Sequence, residues 1–316
     1  MKSEHANDQM LGAIATIAAY VLWGVMPIYW KLIDGAPAGE ILAQRIVWSF
    51  IFMIVILLFT GKLKRFASEL RAMLLTPKKL LIISAASVVI SINWYTYIWA
   101  VGHDHVVQAS LGYYINPLVS VLLGMIFLKE KLSFWQIISF AIAFIGVLVM
   151  AWHVGTMPWV ALVLAISFGL YGLLKKLVHL GAMTGLTIET LVITPFALIY
   201  LLGFQGGNTN FGLAAPGLSA LLIGAGIVTA VPLLLFASGA NRIPLSMIGF
   251  FQYIAPTLML ILGTFVYHET FNQDQLAAFV LIWASLILYS VSKTKWLVNL
   301  ENKLRHKQKP CAEKNI

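Results

Sequence analysis

Cysteine and charge are what this sequence has least of. The one cysteine, Cys311, lies in a charged C-terminal stretch, so we expect neither a disulfide framework nor a cysteine-based metal site. Charged residues make up 10% of the chain, whereas a soluble domain carries about 25%. Apolar residues make up 60% of the 316 residues. This balance predicts an integral membrane protein and leaves no polar region large enough for a soluble catalytic domain.

Long apolar runs, separated by glycine, proline and charge clusters, divide the chain into predicted spans. A helix needs about 20 mostly apolar residues to cross a bilayer. The runs predict an all-α fold with ten transmembrane helices, at residues 10–31, 37–60, 80–101, 106–128, 133–152, 158–174, 185–203, 216–238, 243–267 and 274–292. Residues 1–10 are polar and lack the features of a signal peptide, so the first run is interpreted as a span. Residues 293–316 form a basic tail.

Lysine and arginine are concentrated in alternate connections between these spans. The connection at residues 60–79 holds six of them, and further cations follow the fourth, sixth, eighth and tenth spans. In the opposite connections only Lys31 is basic. Because cytoplasmic loops carry the excess of Lys and Arg, both termini are predicted to be cytoplasmic. This distribution also explains the net charge of +9, and scattered loop cations do not form the basic patch that nucleic-acid binding requires.

The stretch from Gln108 to Lys131 recurs once, as a weak internal repeat. Four matching pairs are separated by the same number of residues: Pro117 and Pro256, Gly124 and Gly263, Glu130 and Glu269, and Gln136 and Gln275. The repeat divides the chain into residues 10–152 and 158–292, with five predicted spans each. An odd number of spans forces the second copy to insert in the opposite orientation. The sequence therefore predicts two inverted five-helix repeats, the design of many secondary transporters.

Three stretches of the sequence resemble a known transporter family. They are NWYTYIWAVGHDHVVQASLGYYINPL at 93–118, AQRIVWS at 43–49, and Glu189-Thr190 with Pro195. These residues are similar to the drug/metabolite transporter superfamily in its EamA-type ten-helix form, and more closely to the RarD subfamily. The resemblance covers nearly the whole chain. It implies a multi-pass permease of the bacterial inner membrane, in a family named for chloramphenicol sensitivity whose natural substrate is poorly defined.

Two ionisable residues, Arg45 and Glu189, lie clearly within predicted spans. A charge at mid-membrane costs roughly 2.5–3.5 kcal/mol, so each is a candidate for a functional role. At Glu189 that role would be the coupling of transport to protons. The structural alternative for both is snorkelling or an ion pair. The inverted arrangement gives them these expected neighbours: Glu40 or Asp104 for Arg45, and Lys175 or Lys176 for Glu189.

Amide and aromatic side chains on the third, fourth and ninth predicted spans form the candidate substrate site. Aromatic walls with a few amides suit a flat, amphiphilic small molecule. The candidate lining residues are Asn93, Trp94, Tyr97, Gln108, Tyr113, Asn116, Gln252 and Tyr253. Two structural alternatives stay open: hydrogen bonds between helices for the amides, and interfacial anchoring for aromatic residues such as Trp99. Pro117 and Pro256 kink their helices and are predicted hinges.

Other polar residues receive structural interpretations. Glu130 and Glu269 begin predicted helices, where a carboxylate stabilises the positive end of the helix dipole. The stretch His103-Asp104-His105 contains metal-ligand types, but no further cysteine or carboxylate lies nearby in the sequence. We therefore expect neither a metal site nor a cofactor.

Taken together, these features predict a secondary transporter that exports a small organic metabolite or drug by alternating access. Uptake or exchange of an amino-acid-like metabolite by the same fold is the alternative. A channel-like facilitator is the alternative of another class; it would conduct without saturation, and the kinked helices favour a transporter. An enzyme is not expected, since no His/Asp/Glu or Ser/His constellation lies at membrane depth. The expected partners are a small-molecule substrate, the lipid bilayer and protons; the sequence specifies neither the substrate nor the oligomeric state.

Overall fold

The regular structure of the chain is helical throughout the part that the structure describes. The computed structural model describes residues 2–33, 36–102, 106–152, 159–204, 211–212, 215–266, 273–292, 294, 297–298 and 301. The helices are α1 (Lys2–Leu32), α2 (Ala38–Phe59), α3 (Leu63–Leu74), α4 (Pro77–Gly102), α5 (Val106–Phe127), α6 (Phe134–Trp152), α7 (Trp159–Val178), α8 (Ala182–Ile199), α9 (Pro216–Ala240), α10 (Leu245–Phe251), α11 (Ile254–Ile261) and α12 (Gln273–Val291). Single π-helical turns, Tyr200–Phe204 and Leu262–Val266, follow α8 and α11.

Most of these helices have the length and composition of membrane spans. Among the described residues, eight stretches are long and apolar enough to cross a bilayer, at 7–32, 38–59, 77–97, 134–152, 159–178, 182–203, 216–240 and 245–266. Two shorter apolar helices, Leu111–Phe127 and Val280–Val291, lie where the fourth and tenth spans are predicted. Large apolar side chains point outward: Phe59 is 88% exposed and Trp152 is 86% exposed. Helices with an apolar exterior suit lipid, because each helix satisfies its own backbone polar groups.

The connection at residues 60–79, expected to be a loop, contains the additional helix α3. Phe66 and Met73 of this helix are buried in a cluster with Leu57 of α2 and Val178 of α7. Its other face is polar, with Arg65 Nε 2.7 Å from Glu69 Oε1. Helix α3 is therefore a short amphipathic helix that packs against the ends of neighbouring helices. Its basic residues give the stretch the composition of a loop, and for this reason no helix was predicted there from the sequence.

The basic ends of several helices meet at one end of the bundle. Lys176 Nζ, at the end of α7, donates a hydrogen bond to the Ala240 carbonyl at the end of α9, at 3.2 Å. Arg242 Nε, just after α9, lies 2.9 Å from Asp8 Oδ1 near the start of α1. The cluster around α3 joins the same ends of α2, α4, α7 and α8. Cations of three predicted cytoplasmic connections, those after the second, sixth and eighth spans, thus lie at the same end of the bundle.

The ninth predicted span is interrupted in its middle. Helix α10 ends at Phe251 and α11 begins at Ile254, while residues 245–266 together keep the length and composition of one membrane span. Pro256 explains the break, because it has no N–H to donate to the carbonyl four residues earlier. That carbonyl, of Gln252, instead accepts a 3.3 Å hydrogen bond from the Ala255 amide. In contrast, α5 continues through Pro117 as one helix.

Glycine allows two pairs of helices to approach closely. A Cβ atom on Gly226 of α9 would lie 2.4 Å from the carbonyl carbon of Trp48 on α2. A Cβ on Gly112 of α5 would lie 3.2 Å from the Ala161 Cα of α7. Small residues at such interfaces let membrane helices associate by close packing. These contacts hold α2 and α5, which carry candidate site residues, against the second half of the chain.

Candidate functional site

A cavity of about 110 Å³ lies in the centre of the bundle. Its walls come from α1, α2, α4, α5, α7, α9 and the α10–α11 break. Most of the lining side chains are aromatic or aliphatic, and a few polar groups are placed among them. Arg45 is the one charged side chain among the described lining residues. An apolar pocket with a small number of placed polar groups is the usual form of a small-molecule site.

The structure brings most of the predicted site residues to this cavity. Six of the candidates line it: Asn93, Trp94, Tyr97, Tyr113, Asn116 and Gln252. The side chain of Gln108 lies outside the described part of the chain. The candidate Tyr253 does not line the cavity. It is 1% exposed and packs with Leu111 and Tyr114 in a separate cluster. The turn between α10 and α11 directs Gln252 to the cavity and its neighbour Tyr253 away from it.

Arg45 enters the cavity from α2, about two turns after the helix begins. Its Nε donates a hydrogen bond to Thr229 Oγ1 on α9 at 3.1 Å. The guanidinium carbon lies 4.4 Å from the centroid of the Trp94 ring and 5.2 Å from that of Trp30. These are cation–π distances, and such contacts strengthen when the cation is removed from water. Arg45 belongs to none of the ion pairs Arg65–Glu69, Lys175–Glu189 and Arg242–Asp8, so its pairing with Glu40 stays a prediction. The other predicted partner, Asp104, lies outside the described residues.

The three described amides of the site have different roles. Asn93 Nδ2 donates to the Leu164 carbonyl and to Ser167 Oγ, both at 2.9 Å, so it joins α4 to α7. Gln252 Oε1 accepts a 3.1 Å hydrogen bond from Ser120 Oγ, which joins the α10–α11 break to α5. Asn116 is different, because its buried Oδ1 has no hydrogen-bond partner among the described groups. A buried acceptor without a donor is costly, and a ligand can supply the donor.

Three aromatic residues and a proline of α1 form a wall of the cavity that was not predicted from the sequence. Tyr20, Trp23, Pro27 and Trp30 all line the cavity. Their spacing of three, four and three residues places them on one face of a helix. That spacing was the available signal, but α1 contains no charged or amide residue at mid-span to draw attention to it. Phe168 of α7 extends this wall, with its ring 5.7 Å from that of Trp23.

Glu189 lies beside the cavity in a buried ion pair. Lys175 Nζ is 2.7 Å from Glu189 Oε1, and the Tyr171 hydroxyl donates to Oε2 at 3.0 Å. The predicted pairing with Lys175 is therefore confirmed. Glu189 also borders a second cavity, of about 10 Å³, whose walls include Trp94 and Leu233. Both of these residues also line the central cavity, so they form the partition between the two.

Glu130 stabilises a helix N-terminus, but not the one expected. Its carboxylate accepts hydrogen bonds from the backbone N–H groups of Leu245 and Ser246, at 2.6 and 2.8 Å. These residues begin α10, whereas the helix that follows Glu130 begins at Phe134. The prediction was correct about the interaction with a helix dipole and wrong about the helix. Its counterpart Glu269 lies outside the described residues.

Metal-ligand residues do not cluster in the described part of the chain. No group of three His, Cys, Asp or Glu side chains there could hold a metal ion. The stretch 103–105, singled out in the sequence, lies outside those residues. The polar groups that remain at the cavity are a guanidinium, amides and hydroxyls, which suit reversible binding of an organic molecule.

A bundle of apolar helices around a small polar and aromatic cavity defines the class of multi-span membrane transporters. The chain belongs to the EamA-like transporter family, whose sequence profile matches residues 10–152 and 156–291. The two matched segments correspond closely to the two halves predicted from the internal repeat.

Curated relatives confirm the RarD-type resemblance. The chain is 50% identical to the uncharacterized transporter YojE of Bacillus subtilis (strain 168), over 93% of this chain and 97% of the relative. It is 44% identical to the protein RarD of Escherichia coli (strain K12), over 90% of this chain and 95% of the relative. A chloramphenicol-sensitive protein RarD of Pseudomonas aeruginosa is 27% identical, over 88% of this chain and 92% of the relative.

A solved crystal structure has the same fold. It covers 89% of this chain, and this chain covers 96% of it, with a TM-score of 0.69 at 15% identity. At this identity the similarity concerns the arrangement of the helices alone.

Proposed function

We propose that the protein is a ten-span secondary transporter of the inner membrane that exports a small organic molecule by alternating access. The observation that carries the proposal is the central cavity, in which Arg45 and the unpartnered Asn116 Oδ1 meet aromatic walls from both halves of the chain. Binding sites near the midplane, between two halves that rock against each other, are typical of this mechanism.

The contacts between helices support two inverted five-helix halves. In the repeat, α1, α2, α4, α5 and α6 correspond to α7, α8, α9, α10–α11 and α12. Exchanging each helix for its counterpart turns the α4–α7 contact into α9–α1, the α5–α7 contact into α11–α1, and the α2–α9 contact into α8–α4; all six contacts are present. The contacts α2–α8, α5–α10 and α6–α12 each map onto themselves. This is the contact pattern of a two-fold relationship, and five spans per half would make it an inverted one.

The charge distribution supports a cytoplasmic location for the end of the bundle that carries α3. The cations of the even-numbered connections lie there, as positive-inside orientation requires. In this orientation the contacts of Glu130 with α10 join the two halves on the cytoplasmic side. Export would require this contact to open so that the substrate can enter from the cytoplasm.

Coupling to protons is assigned to Glu189 in this proposal. It is a carboxylate with 2% exposure that borders the partition of the central cavity. Protonation would remove its charge and release Lys175, which changes the contacts on one side of Trp94. Ionisable residues inside membrane proteins are frequent members of such proton relays.

The test is a transport screen with the full-length protein. Cells with and without the protein are compared for accumulation of a panel of metabolites and drugs, including chloramphenicol because one relative carries that name. Hits are then measured in proteoliposomes. The proposal expects lower accumulation in cells with the protein and saturable transport in vesicles. Flux that rises linearly with substrate concentration would indicate a channel-like facilitator instead, and accumulation increased by the protein would indicate uptake.

A further inference from the structure

We infer that the transported molecule is a small organic anion, a carboxylate that binds Arg45, with a hydroxyl group that donates a hydrogen bond to Asn116. This inference rests on the proposed transport function and gives its substrate class. Three observations support it: the charge of the cavity, the unused hydrogen-bond donors of Arg45 and the unused acceptor of Asn116.

The first argument is the unbalanced charge of the cavity. Its described lining contains Arg45 and no aspartate or glutamate. Arg45 belongs to none of the ion pairs Arg65–Glu69, Lys175–Glu189 and Arg242–Asp8. A guanidinium in a low-dielectric site without a counter-charge is unfavourable, and an anionic ligand removes this cost on binding. A cationic ligand would increase it.

The second argument is the set of donors that Arg45 presents. A guanidinium has five N–H donors in a fixed plane and pairs with a carboxylate through two parallel hydrogen bonds. The Nε donor is used by Thr229. In the described structure no hydrogen bond uses the two terminal nitrogens, and the side chain keeps part of its surface open to the cavity. Thr229 and the rings of Trp94 and Trp30 hold the guanidinium in place, so these nitrogens are oriented before a ligand arrives.

The third argument is the complementary polarity of α5. Asn116 is 8% exposed, and its Oδ1 has no donor among the described residues. Tyr113, one turn earlier on α5, lines the same cavity as Arg45. An anion at Arg45 and a donor group at Asn116 can therefore belong to one molecule that crosses the cavity. The 2-hydroxy carboxylates carry both groups.

The size of the cavity favours a short molecule. Its volume is about 110 Å³, whereas pockets for drug-sized ligands measure about 300–1,000 Å³. A large aromatic drug would not fit this conformation. The aromatic walls supply contact area for a short carbon chain, and the polar groups supply its orientation.

The experiment measures binding by the purified full-length protein in detergent, through the fluorescence of its tryptophans, two of which contact Arg45. The probes are 2-hydroxy carboxylates of increasing chain length, beginning with lactate, each paired with its uncharged primary amide and with the analogue that lacks the hydroxyl. We expect the best carboxylate to bind at least about tenfold more tightly than its amide, which corresponds to about 1.4 kcal/mol. If no carboxylate in the series binds more tightly than its amide, the inference is wrong.

Three variants identify the residues responsible. Arg45→Gln should abolish the preference for the carboxylate over the amide, whereas Arg45→Lys, which keeps the charge but not the planar fork, should retain a weaker preference. Asn116→Leu should abolish only the advantage of the hydroxyl. Arg65→Gln, which removes an exposed cation far from the cavity, is the matched control and should change neither. If Arg45→Gln does not fold, Arg45→Lys and the wild-type comparison of each carboxylate with its amide still decide the question.

The outcomes separate this inference from the proposed function. Saturable transport of neutral or cationic compounds, unaffected in Arg45→Gln, would leave the transporter in place and contradict an anionic substrate. Selective carboxylate binding that depends on Arg45, without transport of that carboxylate in proteoliposomes, would support the site and contradict the transport function.

Discussion

The backbone nitrogen of Leu245 lies 2.6 Å from Oε1 of Glu130, and the two residues belong to opposite halves of the chain. The second carboxylate oxygen, Oε2, accepts a hydrogen bond from the backbone N–H of Ser246. Glu130 follows α5, while Leu245 begins α10, so the hydrogen bonds join the two helices that the internal repeat relates to each other. Movement of one half against the other at this end of the bundle must break them.

Removing the charge of Glu130 should loosen this end of the bundle. Hydrogen bonds to a charged group contribute about 1.5–3 kcal/mol each, and a neutral amide would also lose the attraction of the helix dipole. We expect Glu130→Gln to increase the labelling rate of Ser246→Cys by about tenfold, which corresponds to about 1.4 kcal/mol. The measurement uses a membrane-impermeant maleimide on inside-out vesicles, in a Cys311→Ser background.

The control for this labelling experiment is Glu69→Gln. It removes an acidic residue from α3, at the same end of the bundle, that contacts Arg65 and not α10. Its labelling rate should match that of the unchanged background. An equal rate in Glu130→Gln and Glu69→Gln would mean that the Glu130 contact does not restrict access.

Asn116→Leu should weaken transport at low substrate concentration without preventing folding. Leucine has a similar volume, so the change removes the polar group and leaves no large cavity. We expect apparent substrate affinity to fall by on the order of 1 kcal/mol, the contribution of one hydrogen bond. The control is Tyr253→Phe, which removes a buried hydroxyl outside the cavity and should leave transport unchanged. Wild-type transport by Asn116→Leu would exclude Asn116 from the site.

A single substitution in the Lys175–Glu189 pair should lower stability, and the double substitution should restore most of it. Glu189→Gln leaves Lys175 buried without its counter-charge, and breaking a buried pair costs about 3–5 kcal/mol. We expect the double variant Lys175→Met, Glu189→Leu to recover most of this loss in thermal unfolding in detergent. A single variant as stable as the wild type would refute the structural contribution of the pair.

The same double variant tests proton coupling. It should fold and bind substrate but lose transport driven by a pH gradient. If its transport keeps the wild-type pH dependence, Glu189 has a structural role alone.

The orientation of the chain can be checked with reporter fusions. A reporter placed after Arg65 should report the cytoplasm, because α3 carries the densest group of cations. A reporter placed after Gly207, in a connection outside the described residues, should report the opposite side. A periplasmic signal from the fusion at Arg65 would overturn both the orientation and the inverted repeat.

Gly226 and Gly217, both on α9, should respond differently to the same substitution. A Cβ on Gly226 would overlap the backbone of α2 at Trp48 and Ser49, whereas a Cβ on Gly217 would meet no atom within 4 Å. We expect Gly226→Ala to lower the free energy of unfolding by about 1–3 kcal/mol, as overpacking does. Gly217→Ala should be neutral or slightly stabilising. Equal melting temperatures for the two variants would contradict the close approach of α2 and α9.

The features that the sequence predicted well depend on the bilayer. Lipid requires long apolar helices and makes every buried charge expensive, so spans and the residues Arg45 and Glu189 stand out from composition alone. The amide at Asn116 stands out for the same reason. These residues are conspicuous because a membrane span contains so few polar groups.

The features that the sequence did not reveal depend on how helices are rotated against each other. Gln252 and Tyr253 are neighbours with similar character, and only the break before Pro256 decides which one faces the cavity. The contact of Glu130 with α10 joins residues 115 positions apart, so no local pattern indicates it. The aromatic residues of α1 face inward because α9 and α11 pack on either side of them. Aromatic residues that face lipid would give the same sequence pattern.

The position of Trp94 places one side chain between the substrate cavity and the Lys175–Glu189 ion pair. Its indole contacts Arg45 and forms part of the wall of both cavities. A change in its side-chain rotamer alters the space next to the substrate and the space next to Glu189 in the same step. A ligand that favours one rotamer of Trp94 would in this way act on both cavities. If the Lys175–Glu189 pair also favours one rotamer, thermodynamic reciprocity requires that breaking the pair change the affinity for the ligand by the same factor by which the ligand changes the pair's stability.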